Sequence, residues 1–293
     1  TESNLLEEKR NNFIMSIFKK GIFFGIAVCD ISTGDFYSAE IKEENNFERL
    51  LDEISRYSPS EIIANEMLYD CGEEISKIKK ACELTDKCFN HLLEFIKIGT
   101  TEKEIALEIE IFFRTNGAEG LAFDPVVAIG PNSANPHWKP TDRAVKMADL
   151  ILIDMGCKYE GYCSDMTRTI FMGCILEEIK PVYDLVLKNQ LYTTQEIKEY
   201  ASIKTLSQMV ESNFKLNNFD LIHSLGHSIG METHEIPYIN SKNDTFLKEN
   251  MVIANEPGIY IPDKYGIRIE DTILVEKNGC TVLTKSPKNY VII

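Results

Sequence analysis

Five side chains able to hold a metal ion, Asp154, Asp165, His227, Glu256 and Glu270, fall in order along the second half of the chain. Asp154 ends the apolar run Leu150 to Ile153 in LILIDMG, and Asp165 precedes the alternating residues of YCSDMTRTI. The glycines Gly226 and Gly230 on either side of His227 imply a close approach of backbone. In NEPGIY, Pro257 fixes the chain directly after Glu256 and Gly258 frees it. Glu270 closes the set in GIRIED, an alternating strand that places Arg268 on the same face. Taken singly, an aspartate at a strand end is a turn former, and a lone histidine between glycines says no more. Taken together, four carboxylates and one imidazole make a hard, oxygen-rich donor set suited to manganese, iron, cobalt or zinc, and bridging carboxylates can hold two such ions. The chemistry of such a centre is metal-assisted hydrolysis.

These residues need a rigid frame. The segments bearing Asp154 and Asp165 read as neighbouring antiparallel strands, and the intervening CKYEGY, with Gly161 near its centre, as the hairpin loop that sets the two carboxylates face to face. Two facing carboxylates repel, so a bound cation is a physical reason for the pairing. FDPVVAIG reads as a strand that leads through a Gly-Pro-Asn turn to His137. A long helix is expected from about Cys71–Lys80, with Ile75, Ile78, Cys82, Leu84, Phe89, Leu92 and Leu93 on its apolar face. A second runs from Thr101 to Asn116, opened by the capping box of TEKE and stopped at Gly117. A third is expected over Ile179–Tyr192 and a fourth over Thr194–Asn213.

The order and local sequence of the five candidates resemble the pita-bread metallopeptidases, the family of methionine aminopeptidase, Xaa-Pro aminopeptidase, prolidase and creatinase. The family's ligands, Asp, Asp, His, Glu and Glu, map onto Asp154, Asp165, His227, Glu256 and Glu270 without a gap, and the resemblance covers about Ile75 to Ile293. SDMTRT, GHSIGMETHE, NEPGIYIPDKYGIRIED and VLTKSPK are similar to the Xaa-Pro branch. It implies an α+β fold with a curved antiparallel sheet flanked by helices. Further, it implies hydrolysis of the N-terminal Xaa-Pro bond of small peptides through a hydroxide bridging two divalent ions, manganese first and cobalt, zinc or iron after it. Glu256 would then move the proton, His234 would stabilise the oxyanion, and His137, His223, His234 and Arg268 would hold the substrate; Trp138, beside His137, is a candidate cavity wall. Only His91 among the five histidines is left without a role.

A net charge of -15 argues against nucleic acid or an anionic membrane as a partner. The eight cysteines, Cys29, Cys71, Cys82, Cys88, Cys157, Cys163, Cys174 and Cys280, contain no C-x-x-C pair and read as reduced thiols, which suits a cytoplasmic enzyme. The longest early apolar run, Gly21 to Ile31, is too short to cross a bilayer. That run and Asp35 to Ile41 read as a hairpin joined by STG, followed by a helix over Asn46–Tyr57 and a strand at Glu61–Ala64, a ββαβ unit.

The wording of this first quarter, LLEEKRNNFIMSIFKKGIFFGIAVCDISTGDFYSAE and then LLDEISRYSPSEIIANE, resembles part of the connector domain of MutS, the DNA mismatch-repair ATPase, over about Thr1 to Lys79. No G-x-x-x-x-G-K-[ST] occurs anywhere, and residues 1–80 hold 16 acidic against 10 basic side chains, so this piece is no DNA-binding stripe. The expected division is a partial connector-like α/β segment over 1–74 and a catalytic domain over 75–293. The join is either a true fusion or a gene-prediction or assembly artefact that splices a mismatch-repair fragment to a peptidase lacking its own first domain, and the incomplete connector favours the artefact.

Three alternatives accompany the Xaa-Pro expectation. The same fold could serve a methionine-type aminopeptidase or a creatinase-like C–N hydrolase. It could also be a non-catalytic binding module, against which the complete ligand set argues. Finally, a mismatch-repair interaction protein could act through the first segment. The partners implied by the leading expectation are peptides with proline second and, as a candidate assembly, a homodimer.

Overall fold

The computed structural model describes residues 12–20, 22–42, 48–64 and 71–293, and divides the chain into two compact units, Thr1–Cys71 and Gly72–Ile293. In the first, β1 (Phe13–Lys20), β2 (Phe23–Asp30), β3 (Phe36–Lys42), α1 (Glu48–Tyr57) and β4 (Glu61–Ala64) build a sheet of order β3-β2-β1-β4, in which only the β1–β4 pair is parallel. Met15, Ile17, Phe24, Ile26, Val28 and Ile41 close on Leu50 of α1. The ββαβ expectation missed β1. Its inward residues Met15 and Ile17 alternate with outward ones, but the outward Phe18, 57% exposed, hides the period. The expected starts at Gly21 and at Asn46 lie outside the described residues.

The STG turn forms as the sequence suggests. Asp30 accepts hydrogen bonds from the backbone and hydroxyl of Ser32, and Gly34 takes a φ of +78° that other residues rarely adopt.

The second unit begins with α2 (Cys71–Phe95), α3 (Glu102–Thr115), β5 (Gly120–Leu121) and β6 (Val126–Ile129), which runs into a 3₁₀ turn at Gly130–Ala134. Next come β7 (Leu150–Met155), β8 (Cys157–Tyr159), β9 (Tyr162–Cys163), β10 (Met166–Phe171), α4 (Lys180–Glu196) and α5 (Ile203–Leu216). β11 (Gly226–Ser228), β12 (Glu235–Ile239), β13 (Val252–Asn255), β14 (Gly258–Ile261), β15 (Tyr265–Arg268), β16 (Asp271–Glu276) and β17 (Gly279–Val282) complete it. The strands form antiparallel sheets of order β10-β7-β6, β12-β11-β13-β16-β17, β14-β15 and β5-β8-β9.

β7 is covered on both faces, which is why it reads as an unbroken apolar run. Leu150 and Leu152 pack into a cluster with Val186, Val210 and Phe214 of α4 and α5, while Ile151 and Ile153 pack with Phe89, Leu92, Ile105 and Ile109 of α2 and α3. Each fully buried aliphatic side chain contributes about 1.5–3 kcal/mol. The α3 capping box is present in both halves, Thr101 accepting from Glu104 N and Glu104 from Thr101 N, and Gly117 has a φ of +95°.

Two expectations need correction. The third helix continues to Glu196, and the fourth starts at Ile203, not Thr194. Tyr200 takes a φ of +63° between them, and Ser202 caps α5 by accepting from Thr205 N. CKYEGY is also no plain loop. Its ends pair as β8 and β9 in a separate sheet, turning at Glu160 and Gly161, both at positive φ. Among the described residues no helix is long and apolar enough to cross a membrane, and the seven described cysteines are free.

A Cβ on Gly156, between the two aspartate segments, would lie 1.9 Å from the Ser164 carbonyl oxygen, whereas one on Gly161 meets nothing within 4 Å. Gly156→Ala is therefore expected to destabilise by about 3 kcal/mol or more. Gly161→Ala, strained only by its φ of +83°, should cost about 1–2 kcal/mol. Equal shifts of the denaturant midpoint for the two variants would refute this account.

Candidate metal centre

The five candidate ligands come from the ends and junctions of five strands. Asp154 lies in β7 opposite Thr167 of β10. Asp165, just before β10, donates its N–H to the Thr272 hydroxyl (3.2 Å), which donates back to the Asp165 carbonyl (2.7 Å). His227 is the middle residue of β11, where a Cβ on Gly226 would lie 1.9 Å from the Ala254 carbonyl. The close backbone approach implied by the flanking glycine is that of β13. Gly230 instead faces the Glu235 carboxylate. Glu256 follows β13 and donates its N–H to Leu225 O, while Glu270 donates its N–H to Thr167 O.

Glu270 is not within one continuous alternating strand with Arg268. β15 ends at Arg268 and pairs with β14, and β16 begins at Asp271 and pairs with β13, so the chain changes sheets at Ile269 and Glu270.

The donor atoms converge without touching. Ligand atoms of Asp165, His227 and Glu270 all lie within 4.8 Å of one another. His227 Nε2 is 3.6 Å from Asp165 Oδ2 and 3.7 Å from Glu256 Oε1, too far for hydrogen bonds. Asp154 and Glu256 line the same cavity but stand outside that trio, and Asp154 Oδ2 accepts a 2.5 Å bond from Arg268 Nη2. The buried Oδ1 atoms of both Asp154 and Asp165 have no protein partner.

Burying acids so close together is costly. Burial and then the Glu270 charge hold Asp165 well above the usual carboxylate range, and burial and then Glu256 do the same to Glu270. Burial pushes Glu256 up to about 8, with Arg268 opposing and Asp154 adding. A divalent cation among these oxygens would remove the penalty and fill the orphaned lone pairs, so the residues fit a bound metal.

The histidines have defined states. His227 Nδ1 faces the Ser228 carbonyl at 3.1 Å and must donate to it, which leaves Nε2 as a lone pair aimed at the carboxylates. Burial, then the neighbouring His234, push its pKa down to about 4, so the ring is neutral, as a ligand must be. His223 donates Nδ1–H to Ser224 O (2.7 Å), so Nε2 accepts from the Tyr260 hydroxyl (3.0 Å). Burial, then Arg268, push this ring down to about 4 as well. The His234 ring lies 4.4 Å from that of His227, and His234 and His137 both line the cavity as exposed residues. His91 pairs with Glu108 and does not line it.

Arg268 links the site. It donates to Asp154, to the Thr167 hydroxyl (2.9 Å) and to the Tyr260 oxygen (2.7 Å), and Thr167 in turn donates to Glu270 Oε2 (2.6 Å). Thr167 and Tyr260 are not among the residues the sequence reading picks out, although the segments SDMTRT and NEPGIY that contain them are, and both bond directly to the candidate residues. Behind the candidate ligands, Arg168 is fully buried and binds Asp271 Oδ1 (2.7 Å) and the carbonyls of Thr167, Glu270 and Ser286. Burial alone would raise the Asp271 carboxyl, but Arg168 and Lys288 outweigh it and hold it below its ordinary value.

The cavity lined by the five candidate ligands has a volume of about 510 Å³. Its walls include Leu107, Phe123, Pro125, Pro136 and Trp138, so an acidic floor meets apolar sides.

Metallopeptidase family M24 matches residues 76–277, and MutS domain II matches residues 12–123. The chain is 40% identical over 233 residues to an Xaa-Pro dipeptidase of Pyrococcus furiosus, covering 79% of this chain and 67% of that one. It is 42% identical over 220 residues to an uncharacterized peptidase of Methanocaldococcus jannaschii, covering 73% and 62%. The chain thus spans about two thirds of the length of these curated relatives. Among solved structures, an X-Pro aminopeptidase from Thermotoga maritima matches with a TM-score of 0.74 at 37% identity, over 85% of this chain and 73% of that one. A prolidase from Pyrococcus furiosus matches with a TM-score of 0.74 at 29% identity, over 96% and 98%, a span that takes in part of the first unit.

A carboxyl whose folded pKa is raised contributes stability that is full below its ordinary range and is lost as pH rises through the folded value, here about 8 for Glu256. The rings of His223 and His227, pushed down to about 4, are already neutral in the folded protein over this range. Chelator-stripped protein is expected to lose about 1.4 kcal/mol per pH unit for each such proton between pH 7 and 8, read by chemical denaturation, and manganese should abolish the loss. Equal stability of stripped protein at both pH values would count against a buried, uncompensated acid cluster.

Proposed function

Because the chain belongs to metallopeptidase family M24, we propose that it is a metal-dependent exopeptidase that hydrolyses the N-terminal Xaa-Pro bond of small peptides. The observation that carries this reading is the acid cluster with orphaned oxygens on the floor of an apolar-walled cavity. Two divalent ions, manganese first and cobalt, zinc or iron after it, would be held by Asp154, Asp165, His227, Glu256 and Glu270. Bound there, they supply Lewis acidity, making water a nucleophile near neutral pH and polarising the scissile carbonyl.

The chain's own residues do the rest. Glu256, at the edge of the trio, takes the proton of the attacking water and returns it to the proline nitrogen. His234 donates a ring N–H to the carbonyl oxygen as it gains charge. His223, fixed by Tyr260, and His137 hold the peptide, while Arg268 keeps Asp154 beside the substrate's amino terminus. A proline substrate has no amide hydrogen and a fixed φ, so it is selected by ring fit against Phe123, Pro125, Pro136 and Trp138, not by a donated hydrogen bond.

The catalytic domain in this reading is residues 75–293, and residues 1–74 form a connector-like appendage without chemistry of its own. A homodimer in the cytoplasm is the assembly and compartment that fit.

Manganese added to chelator-stripped protein should restore release of proline from an Xaa-Pro dipeptide, and Glu256→Gln should lower kcat by about 10²–10⁴-fold. A panel that includes N-terminal methionine peptides and creatine separates the neighbouring specificities. Turnover by Glu256→Gln at the native rate would exclude the proton-transfer role.

A further inference from the structure

Glu102 is the first residue of α3 and is 0% exposed, yet no cation pairs with it among the described residues. Its carboxylate instead accepts five hydrogen bonds. Oε1 receives Ile129 N–H (2.8 Å) and Asn132 Nδ2 (2.8 Å). Oε2 receives Trp138 Nε1 (3.0 Å), Thr141 N–H (2.8 Å) and the Thr141 hydroxyl (2.7 Å). Every donor belongs to the stretch 129–141, including its first residue, its last and the indole between them. The helix N-terminus adds its own positive end to the same charge.

That stretch carries His137 and Trp138 to the cavity wall. On its other side the Pro136 carbonyl accepts from Arg268 Nη1 (3.4 Å), and Gly266 N–H donates to the Ser133 hydroxyl (2.8 Å). A Cβ on Gly266 would lie 2.0 Å from Ser133 O, so the loop cannot shift toward β15. The residues on either side of His137 are therefore pinned, one by Arg268 and one by Glu102.

We propose that Glu102 is a positioning residue that clamps the His137–Trp138 wall and thereby sets how tightly the substrate's proline is gripped. The proposal rests on the Xaa-Pro reading for its kinetic part only. Five donors converging on one carboxylate form a single-point latch, and a neutral amide in its place must turn its own donors toward donors. The wall then loosens while the metal ligands, none of which touches Glu102, stay in place.

The chain's single tryptophan, Trp138, reports on the latch directly. In manganese-loaded Glu102→Gln, acrylamide quenching of Trp138 is expected to rise severalfold with its emission shifted to the red. KM for an Xaa-Pro dipeptide should rise about tenfold or more, with kcat within about threefold of the wild type and manganese affinity unchanged. Thr141→Val, which deletes one donor and keeps side-chain shape, should move quenching and KM in the same direction by a smaller factor and guards against misfolding of the first variant. Unchanged quenching and KM in folded Glu102→Gln and Thr141→Val would overturn the proposal, as would a loss confined to kcat or to manganese binding. Quenching needs no substrate, so a wild type that cleaves no Xaa-Pro peptide would count against the proposed function while the latch itself is still decided.

Discussion

Like charges brought together out of water set the terms for the rest of this molecule. Asp154, Asp165, Glu256 and Glu270 surround one cavity floor, and burial among like charges pushes the carboxyls of Asp165, Glu256 and Glu270 above their ordinary values. The protein meets this load in layers. Arg268 supplies a fixed cation inside the cluster, and Thr167 supplies a neutral donor to Glu270. Behind them, Arg168 and Lys288 converge on Asp271, placing a net positive charge directly after Glu270. What remains is a pocket of oxygen lone pairs with the wrong number of positive charges for water alone.

Holding such a cluster requires backbone that cannot relax. The antiparallel sheets provide it because each candidate ligand lies within a paired strand or at the end of one. β7 is clamped between helix layers on both faces, so Asp154 projects from a strand with no freedom to tilt. The glycines at 156 and 226 let neighbouring backbones come within the distance that a side chain would occupy. Precision at the site is therefore a property of packing several residues away from it.

The legible part of this protein was the part written in local patterns. The four acids and one histidine stood out because apolar runs and glycines frame them, and the α3 capping box needs only Thr101 and Glu104. What escaped was set by tertiary register. Glu102 sits between those two capping residues and reads as one more acid in a first turn, because its donors lie 27 to 39 residues away. The alternation of GIRIED runs unbroken through the point where the chain swaps sheets, so no period marks the switch. The start of α5 was misplaced because helix-favouring residues continue past Glu196, and only the backbone at Tyr200 and the Ser202 cap end the ambiguity. The first unit shows that resemblance has the same limit. Its wording is similar to MutS domain II, while the structural match to a prolidase reaches beyond the second unit.

Arg268 spends four of its five N–H donors on Thr167, Tyr260, Asp154 and the Pro136 carbonyl. A hub so fully committed leaves no slack for piecemeal change. Altering any one spoke leaves the guanidinium with an unmet donor in a buried place and disturbs ligand and substrate sides together, so effects at these positions should compound, not add. The apolar wall residues carry no such obligations. Descendants of this chain can thus drift in which peptides they admit while the floor stays frozen, and selectivity becomes the evolvable half of the site.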